Sequence, residues 1–268
     1  MAETAPLLEA NDLRVTLRNG TEIVRGVSFT AAAGKVLGIV GESGSGKSIT
    51  MRAVMGLSPP GSVISGSIRL YGEELVRAPE RRMRALRGSK IGLIFQEPMT
   101  ALNPVITVGK LIAEAVRLHN PGTSASRARQ RAVELLELVS VPQPEVRANQ
   151  YVHEFSGGMR QRAMIAMAVA NNPDVLIADE PTTALDVTVQ AQILDVLKGL
   201  QDRFSMGLVL ITHDLGVVAG AADDVIVMYA GKIMESGSVR DIFYRTRHPY
   251  TRGLLSCLPT IAGEQSRL

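Results

Sequence analysis

Short runs of apolar residues alternate along the chain with longer stretches that have a helical pattern of apolar positions. The runs are too short for helices and are bounded by turn or charged residues, so each predicts a buried strand. The predicted strands are 35–40, 91–95, 175–178, 207–212 and 225–229. The predicted helices are 48–55, 128–138, 157–170 and 187–203.

The order of these elements predicts the fold class. Strands that alternate with helices indicate an α/β protein built around a largely parallel sheet. Residues 98–172 have a mostly helical pattern with few strand signals, so we expect them to form a helical subdomain inserted into that core. The expected organisation is a single domain over residues 1–268 that contains this insertion.

Composition changes this picture little. The 268 residues carry a formal net charge of +3, which is too small to imply an anionic ligand or a membrane surface. No apolar stretch reaches the length of about 18 residues that a spanning helix needs, and the N-terminus lacks the basic start of a secretory signal. The single cysteine, Cys257, allows no internal disulfide and suits a reducing compartment. We therefore expect a cytosolic chain that reaches a membrane only through a partner.

The strongest chemical signal is the pattern G-x-x-x-x-G-K-S at residues 41–48. The backbone N–H groups of such a loop and the positive end of the following helix bind phosphates, with the lysine on the β- and γ-phosphates and the serine on Mg²⁺. A plain glycine turn is the alternative, but the position between the strand 35–40 and a helix favours phosphate binding. Lys47 is therefore also a candidate catalytic residue. The candidate nucleotide-binding residues are Gly41, Glu42, Ser43, Gly44, Ser45, Gly46, Lys47, Ser48 and Ile49, and Ser48 is a candidate metal ligand.

A second signal is the apolar run 175–178, which ends in Asp179 and Glu180. Ligands bind at the carboxyl ends of strands in α/β sheets, so Asp179 can hold the Mg²⁺ of a nucleotide, directly or through water. Glu180 is then the candidate general base that polarises the attacking water. Alone, such a pair usually marks a strand that meets solvent, and the phosphate loop is what favours the catalytic interpretation.

A third motif, Phe155-Ser-Gly-Gly-Met-Arg-Gln161, resembles the signature of ABC ATPases, usually written LSGGQ, with Phe for Leu and Met for Gln. Ser156 has the character of a helix N-cap, and Gly157 and Gly158 allow close backbone approach. A plain capped helix would give the same local pattern. The resemblance implies that this motif of one subunit closes on ATP held by the other. It also implies a P-loop NTPase core of the ABC ATPase type with an antiparallel β region.

Three further residues follow the order found in that family. Gln96 resembles the glutamine that senses Mg²⁺ and the transport partner, so it is a candidate ligand of both metal and nucleotide. Asp186 resembles the aspartate of a loop that contacts the opposing subunit. His213 resembles the histidine that contacts the γ-phosphate. A lone histidine is more often structural, and its position after the other motifs favours the catalytic role.

The sequence lacks one feature of the family, an aromatic residue ahead of the phosphate loop that would stack on adenine. Phe29, the only aromatic residue before Gly41, has the pattern of a strand core position. Arg18 lies near the expected position, and a guanidinium plane can stack on a base. We therefore expect Arg18 to contact the adenine.

The resemblance narrows to the ATPases of oligopeptide, dipeptide and nickel importers. It rests on residues 94–105, on 154–162 and on Arg247-His-Pro-Tyr-Thr-Arg-Gly-Leu-Leu255, which lies in a C-terminal segment, 236–268, of the peptide-importer type. The resemblance implies ATP and Mg²⁺ as cofactors and two membrane permeases as partners. It also implies a second, different ATPase subunit, an extracytoplasmic binding protein that acts indirectly, and a place on the cytoplasmic face of the bacterial inner membrane. Peptides are the expected cargo, and nickel or a metal chelate is the alternative.

Other classes of protein fit the sequence less well. Longer relatives carry a cysteine-rich extension with an iron–sulfur cluster, and with one cysteine we expect none here, unless the chain is truncated. A soluble ABC ATPase that acts on nucleic acid or ribosomes is a remote alternative, because long coiled-coil inserts, zinc-binding cysteines and a second cassette are not evident, so we expect no nucleic acid partner. A P-loop kinase would have no use for the signature motif. The basic stretch 77–90 is expected to be a solvated face, with lipid or permease contact as the alternative.

Overall fold

The computed structural model describes residues 6–257 of the chain. Its strands are β1 (Pro6–Thr16), β2 (Glu22–Ala32), β3 (Val36–Val40), β4 (Val63–Leu70), β5 (Glu73–Glu74), β6 (Ile91–Ile94), β7 (Val175–Asp179), β8 (Gly207–Thr212), β9 (Asp224–Tyr229) and β10 (Lys232–Ser238). Its helices are α1 (Lys47–Val54), α2 (Glu80–Leu86), α3 (Pro98–Ala101), α4 (Val108–His119), α5 (Ala125–Leu138), α6 (Pro144–Arg147), α7 (Gly157–Ala168), α8 (Val187–Phe204), α9 (Leu215–Ala221), α10 (Val239–Tyr244) and α11 (Pro249–Ser256), with a 3-10 turn at Val152–Glu154. Every predicted strand and helix is present. Within this part of the chain, no helix is both long enough and apolar enough to cross a membrane.

The central sheet has the strand order β10-β9-β3-β8-β7-β6. Its strands pair in parallel except β10, which runs antiparallel to β9. β3, β7 and β8 are buried along their whole length, because both faces of the sheet are covered, and this is why they read as unbroken apolar runs. The parallel arrangement brings the carboxyl ends of β3, β6, β7 and β8 to one edge, and the loops that follow them carry the candidate site.

A second sheet, with the order β2-β1-β4-β5, is antiparallel. Its inward side chains, among them Leu8, Leu13 and Ile68, are almost completely buried. They share one apolar cluster with α1 and with one face of the central sheet. The expected α/β core with an added antiparallel region is thereby confirmed.

The stretch 98–172 is helical, as its pattern predicts, and contains α3 to α7 with the 3-10 turn. Within it the structure describes one β contact, an isolated bridge between Thr107 and Tyr151. Helices α4, α5 and α7 contribute buried side chains such as Ile112 and Leu135 to an apolar cluster that covers the other face of the central sheet. That this stretch is a separate inserted subdomain remains a prediction.

The C-terminal helices pack beside the central sheet. Ile242 of α10 is buried in a small apolar cluster with Val40, Val218 and Val227. Thr251 of α11 is completely buried. The last part of the predicted C-terminal segment, residues 258–268, lies outside the described residues.

The basic stretch 77–90 contains α2, and several of its charges are paired within the chain. Arg82 forms an ion pair with Glu73, and Glu80 forms ion pairs with both Arg84 and Arg87. Arg87 is the most buried of the three arginines and also donates to two backbone carbonyl oxygens after α1. These contacts tie α2 to the core.

Candidate active site

The loop between β3 and α1, residues 41–46, has the backbone that a phosphate-binding loop needs. Gly41, Gly44 and Gly46 have φ angles of +154°, +81° and +100°, a region that favours glycine. A Cβ atom at Gly41 would lie 2.1 Å from the carbonyl oxygen of Met228, so only glycine fits there. The loop can therefore turn its N–H groups inward ahead of the helix.

The other predicted positions of this loop differ in exposure. Glu42 and Ser43 are exposed, whereas Ser45 is buried. The side chain of Ile49, in the first turn of α1, packs against the apolar cluster between the two sheets. Its predicted contact with nucleotide therefore concerns the backbone and stays a prediction.

The ammonium group of Lys47 lies across the phosphate loop. Its Nζ donates to the carbonyl oxygens of Gly41 at 2.6 Å and Glu42 at 2.8 Å. Burial lowers the pKa of Lys47, and the carboxylates of Glu180 and Asp179 act against this shift. An ammonium group in this position can donate to phosphate oxygens bound in the loop.

Ser48 and Asp179 meet at the end of β7. Ser48 Oγ donates to Asp179 Oδ1 at 2.8 Å, although the two residues are 131 positions apart in the chain. Asp179 is only 7% exposed, and burial raises its pKa even though the Ser48 hydroxyl opposes the shift. A hydroxyl and a carboxylate are hard oxygen donors of the kind that Mg²⁺ prefers.

The carboxylate of Glu180 is the centre of a second set of contacts. Its Oε2 accepts hydrogen bonds from Gln96 Nε2 at 3.1 Å and from Thr183 Oγ1 at 2.8 Å, and His213 Nδ1 lies 3.4 Å away. Glu180 has a φ of +48°, a left-handed conformation that is uncommon outside glycine and often found at functional sites. The structure thus brings the predicted residues Gln96, Glu180 and His213 together.

Thr183 is a residue of this site that the sequence analysis did not single out. Its backbone N–H donates to the carbonyl oxygen of Glu180 at 3.2 Å, so the turn that follows β7 folds the hydroxyl back onto the carboxylate. The spacing of a hydroxyl residue three positions after the glutamate is the signal that could have indicated it. Thr183 fixes the orientation of the Glu180 side chain.

The signature motif caps and packs a helix. Ser156 is the N-cap of α7, and its Oγ accepts from the backbone N–H of Met159 at 3.4 Å. A Cβ atom at Gly158 would lie 2.7 Å from Val189 Cγ1, so this glycine lets α7 approach α8. Asp186 caps α8 in the same way and accepts from the N–H of Val189 at 2.9 Å.

The predicted residues therefore form two groups. The phosphate loop, the Ser48–Asp179 pair and the Glu180 contacts form the first group, and the signature motif with Asp186 forms the second. Within residues 6–257, no hydrogen bond or ion pair joins Ser156, Gly157 or Gly158 to the phosphate loop of the same chain.

Arg18 lies in neither group. It is exposed in the turn between β1 and β2, and its stem rests on Gly61, where an added Cβ atom would lie 3.2 Å from Arg18 Cδ. Its contact with adenine stays a prediction.

Two family models match the chain. The model described as ABC transporter matches residues 24–183, which is more than half of the chain. The model described as oligopeptide/dipeptide transporter, C-terminal region, matches residues 234–268.

Individual proteins give the same result. The oligopeptide transport ATP-binding protein of Bacillus subtilis is 54% identical over 272 residues, which cover 99% of this chain and 76% of that protein. The protein of the same name from Mycobacterium tuberculosis is 53% identical over 97% of this chain, which spans 43% of that protein's length. A solved ATP-binding cassette, described as a dimer in a post-hydrolysis state with ADP and phosphate, aligns with a TM-score of 0.77 at 26% identity, over 87% of this chain and 99% of that one. The resemblance read from the motifs is confirmed, and the chain belongs to the ATP-binding, ATP-hydrolysing family of the ABC transporters.

Proposed function

We propose that the chain hydrolyses ATP to energise an importer of dipeptides or oligopeptides. The observation that carries this proposal is the position of the Glu180 carboxylate, which contacts Gln96 and His213 and directly follows the buried Ser48–Asp179 pair. Peptide cargo is supported by the C-terminal family model and by the names of the two similar transport proteins.

The phosphate loop and α1 bind the nucleotide in this proposal. The backbone N–H groups of residues 41–46 and the positive end of α1 face the phosphates, and Lys47 donates to the β- and γ-phosphate oxygens. Ser48 and Asp179 fit a magnesium ion, since both offer oxygen ligands at one point beside the loop. When bound, Mg²⁺ supplies charge neutralisation for the phosphates. Gln96 is a further ligand in this proposal, and its amide already contacts Glu180.

Hydrolysis depends on Glu180 and its neighbours. Its carboxylate takes a proton from water as the water oxygen bonds to the γ-phosphorus, while the bond to the bridging oxygen of ADP breaks and phosphate leaves. Thr183 and Gln96 hold Oε2 of the carboxylate and so orient the base. His213, next to the same oxygen, donates to the γ-phosphate.

The proposed assembly contains more than this chain. The signature residues Ser156, Gly157 and Gly158 close on ATP held by a second, different ATPase subunit, and Asp186 contacts that subunit. Two permeases carry the cargo across the bacterial inner membrane, with an extracytoplasmic binding protein that acts through them. This chain is peripheral, on the cytoplasmic face.

The Glu180→Gln variant tests the catalytic part of the proposal. An amide cannot accept the proton, so we expect ATP turnover to fall by about 100-fold or more while nucleotide binding persists. Phosphate release and the binding of a fluorescent ATP analogue measure the two effects. The matched control is Glu137→Gln, which changes an exposed glutamate on α5 and should leave turnover intact. Normal turnover in the Glu180→Gln protein would contradict the assignment of the base.

Gentle solubilisation of membranes with a tagged chain tests the transport part. We expect two permeases and a different ATPase to co-purify, and an attached binding protein to bind peptides. Recovery of the chain from the soluble fraction, alone or with nucleic acid, would contradict transport and leave the ATPase chemistry intact. A binding protein that takes nickel and no peptide would contradict the cargo alone.

A further inference from the structure

A carboxylate on β10 anchors the start of the last described helix, α11. Glu235 accepts hydrogen bonds from the backbone N–H of Arg247 at 2.7 Å, from Thr246 Oγ1 at 2.9 Å and from the N–H of His248 at 3.3 Å. Burial acts to raise the pKa of Glu235, yet these donors hold it below its ordinary value. The position of α11 on the core is therefore fixed by a charged acceptor with several donors.

The anchored helix directs Tyr250 toward the phosphate loop. The Tyr250 ring packs on the ring of Tyr229 with centroids 4.7 Å apart and planes at 45°. Its hydroxyl is fully enclosed, has no hydrogen-bond partner among residues 6–257, and lies beside Glu42. Burial raises the pKa of Tyr250; the backbone of Glu42 acts against this shift, and the Glu42 carboxylate adds to it.

The turn between β9 and β10 supports the same loop from a neighbouring position. The Gly231 N–H donates to the carbonyl oxygen of Ser45 at 3.0 Å, and the Met228 carbonyl oxygen lies directly behind Gly41. Tyr229 lies between these two contact points, and Tyr250 packs on it. The loop is thus held by the β9–β10 turn, and that turn is covered by a side chain from α11.

We propose that Tyr250 is a positioning residue of the phosphate loop and that α11, anchored by Glu235, is energetically coupled to nucleotide binding. The inference rests on the proposed ATPase function of this loop. Tyr250 limits the conformations open to Glu42 and to the turn behind it. The phosphate loop therefore loses less conformational entropy when phosphates bind. Coupling of this kind is reciprocal, so nucleotide also stabilises the docked helix.

Two variants and a matched control test the effect on nucleotide affinity. Tyr250→Ala removes the contact itself, and Glu235→Ala removes the anchor of α11 without touching the loop. We expect each to weaken binding of a fluorescent ADP analogue with Mg²⁺ by about fivefold or more. Tyr244→Ala, which alters an 83% exposed tyrosine on α10, should stay within about twofold of the original chain.

The original chain provides a second measurement that needs no variant. We expect Mg-ADP to slow amide hydrogen exchange in α11, which a merely structural role for Tyr250 would not produce. The inference would be overturned if a folded Tyr250→Ala chain bound the ADP analogue with unchanged affinity. It would also be overturned if Mg-ADP did not change the rate of amide hydrogen exchange in α11. If Tyr250→Ala does not fold, the affinity of Glu235→Ala and the exchange measurement test the inference instead. A chain that binds nucleotide but does not hydrolyse ATP contradicts the proposed function and leaves these binding tests valid.

Discussion

At the scale of single residues, the site contains two buried charged groups whose pKa values shift in opposite directions. Burial lowers the pKa of Lys47 and raises that of Asp179, so in both cases the fold favours the neutral form more than water does. The proposed chemistry needs the ammonium for phosphate and the carboxylate for metal. Each charge therefore destabilises the folded chain, although the proposed binding of phosphate and metal needs both charges.

Asp179→Asn separates these two effects. Because the pKa of Asp179 is raised, its ionised form begins to destabilise the folded chain as the pH rises above the ordinary carboxyl range, and the full penalty is present above the raised value. The amide removes this penalty and keeps an oxygen for Ser48. We expect the melting temperature at neutral pH, followed by circular dichroism, to stay equal or rise. Mg²⁺-dependent nucleotide affinity should fall about 10- to 100-fold.

Nucleotide binding in the presence of a chelator is the control for this variant. It should be unchanged, because the phosphate loop and Lys47 remain intact. If the Asp179→Asn chain is less stable and keeps its Mg²⁺-dependent affinity for nucleotide, the Asp179 carboxylate stabilises the fold and does not bind the metal.

Residues in contiguous motifs could be predicted from the sequence, and residues that act through tertiary contacts could not. Gln96 and His213 each follow a recognisable strand, so the order of motifs indicated that they would meet near Glu180. The sequence around Thr183 matches no motif of a site residue, and only the turn after β7 brings its hydroxyl to the Glu180 carboxylate. Tyr250 gave no sign of its proximity to the phosphate loop, because they are separated by most of the chain.

At the scale of elements, the approach of α7 to α8 depends on one glycine. A methyl group at Gly158 would overlap Val189 Cγ1 at 2.7 Å, so Gly158→Ala should lower the free energy of unfolding by about 1–3 kcal/mol. The double variant with Val189→Ala restores the space and should recover much of the loss. Denaturant unfolding of all four proteins gives the coupling between the two positions.

Gly157→Ala is the control for this packing effect. A Cβ atom there would lie 3.6 Å from Leu185 Cδ2, an ordinary contact, so we expect a much smaller change in stability. Equal losses for the two glycines, or a double variant no more stable than Gly158→Ala, would rule out the close approach as the cause.

The elements themselves were predictable to different degrees. β3, β7 and β8 are buried on both faces, so their sequences are unbroken apolar runs. β1 and β2 gave a weaker signal, because register shifts near Leu13 and Thr16 interrupt the alternation of buried and exposed positions. Helix α5 begins earlier than predicted, since Ser124 caps it ahead of its first strongly apolar turn.

At the scale of the whole molecule, the proposed function assigns the two groups of site residues to two different nucleotide sites. Gly157→Glu tests this arrangement, since it places a negative side chain where the signature would meet the phosphates of a neighbour's ATP. The affinity of the isolated chain for nucleotide should stay within about twofold, because its own phosphate loop is untouched. Turnover in the proposed complex with a second ATPase should fall about tenfold or more.

Equilibrium binding and phosphate release measure the two effects of Gly157→Glu. Gly157 is exposed, and a Cβ atom there would make only an ordinary contact with Leu185. A large loss of affinity in the isolated chain would mean that the signature acts on the nucleotide of its own chain.

The three paired arginines of α2 and its end contribute less to the electric field at a distance than their number suggests. Arg82, Arg84 and Arg87 each lie between 2.5 and 3.2 Å from a carboxylate of Glu73 or Glu80. From outside, such pairs act as small dipoles, and physiological salt screens exposed charges over about 8 Å. Glu80 faces two of these arginines, and Arg77 and Arg81 form no ion pair in the described part of the chain, so this face keeps a positive charge. A partner that docks on this face meets that charge, and added salt should weaken the contact.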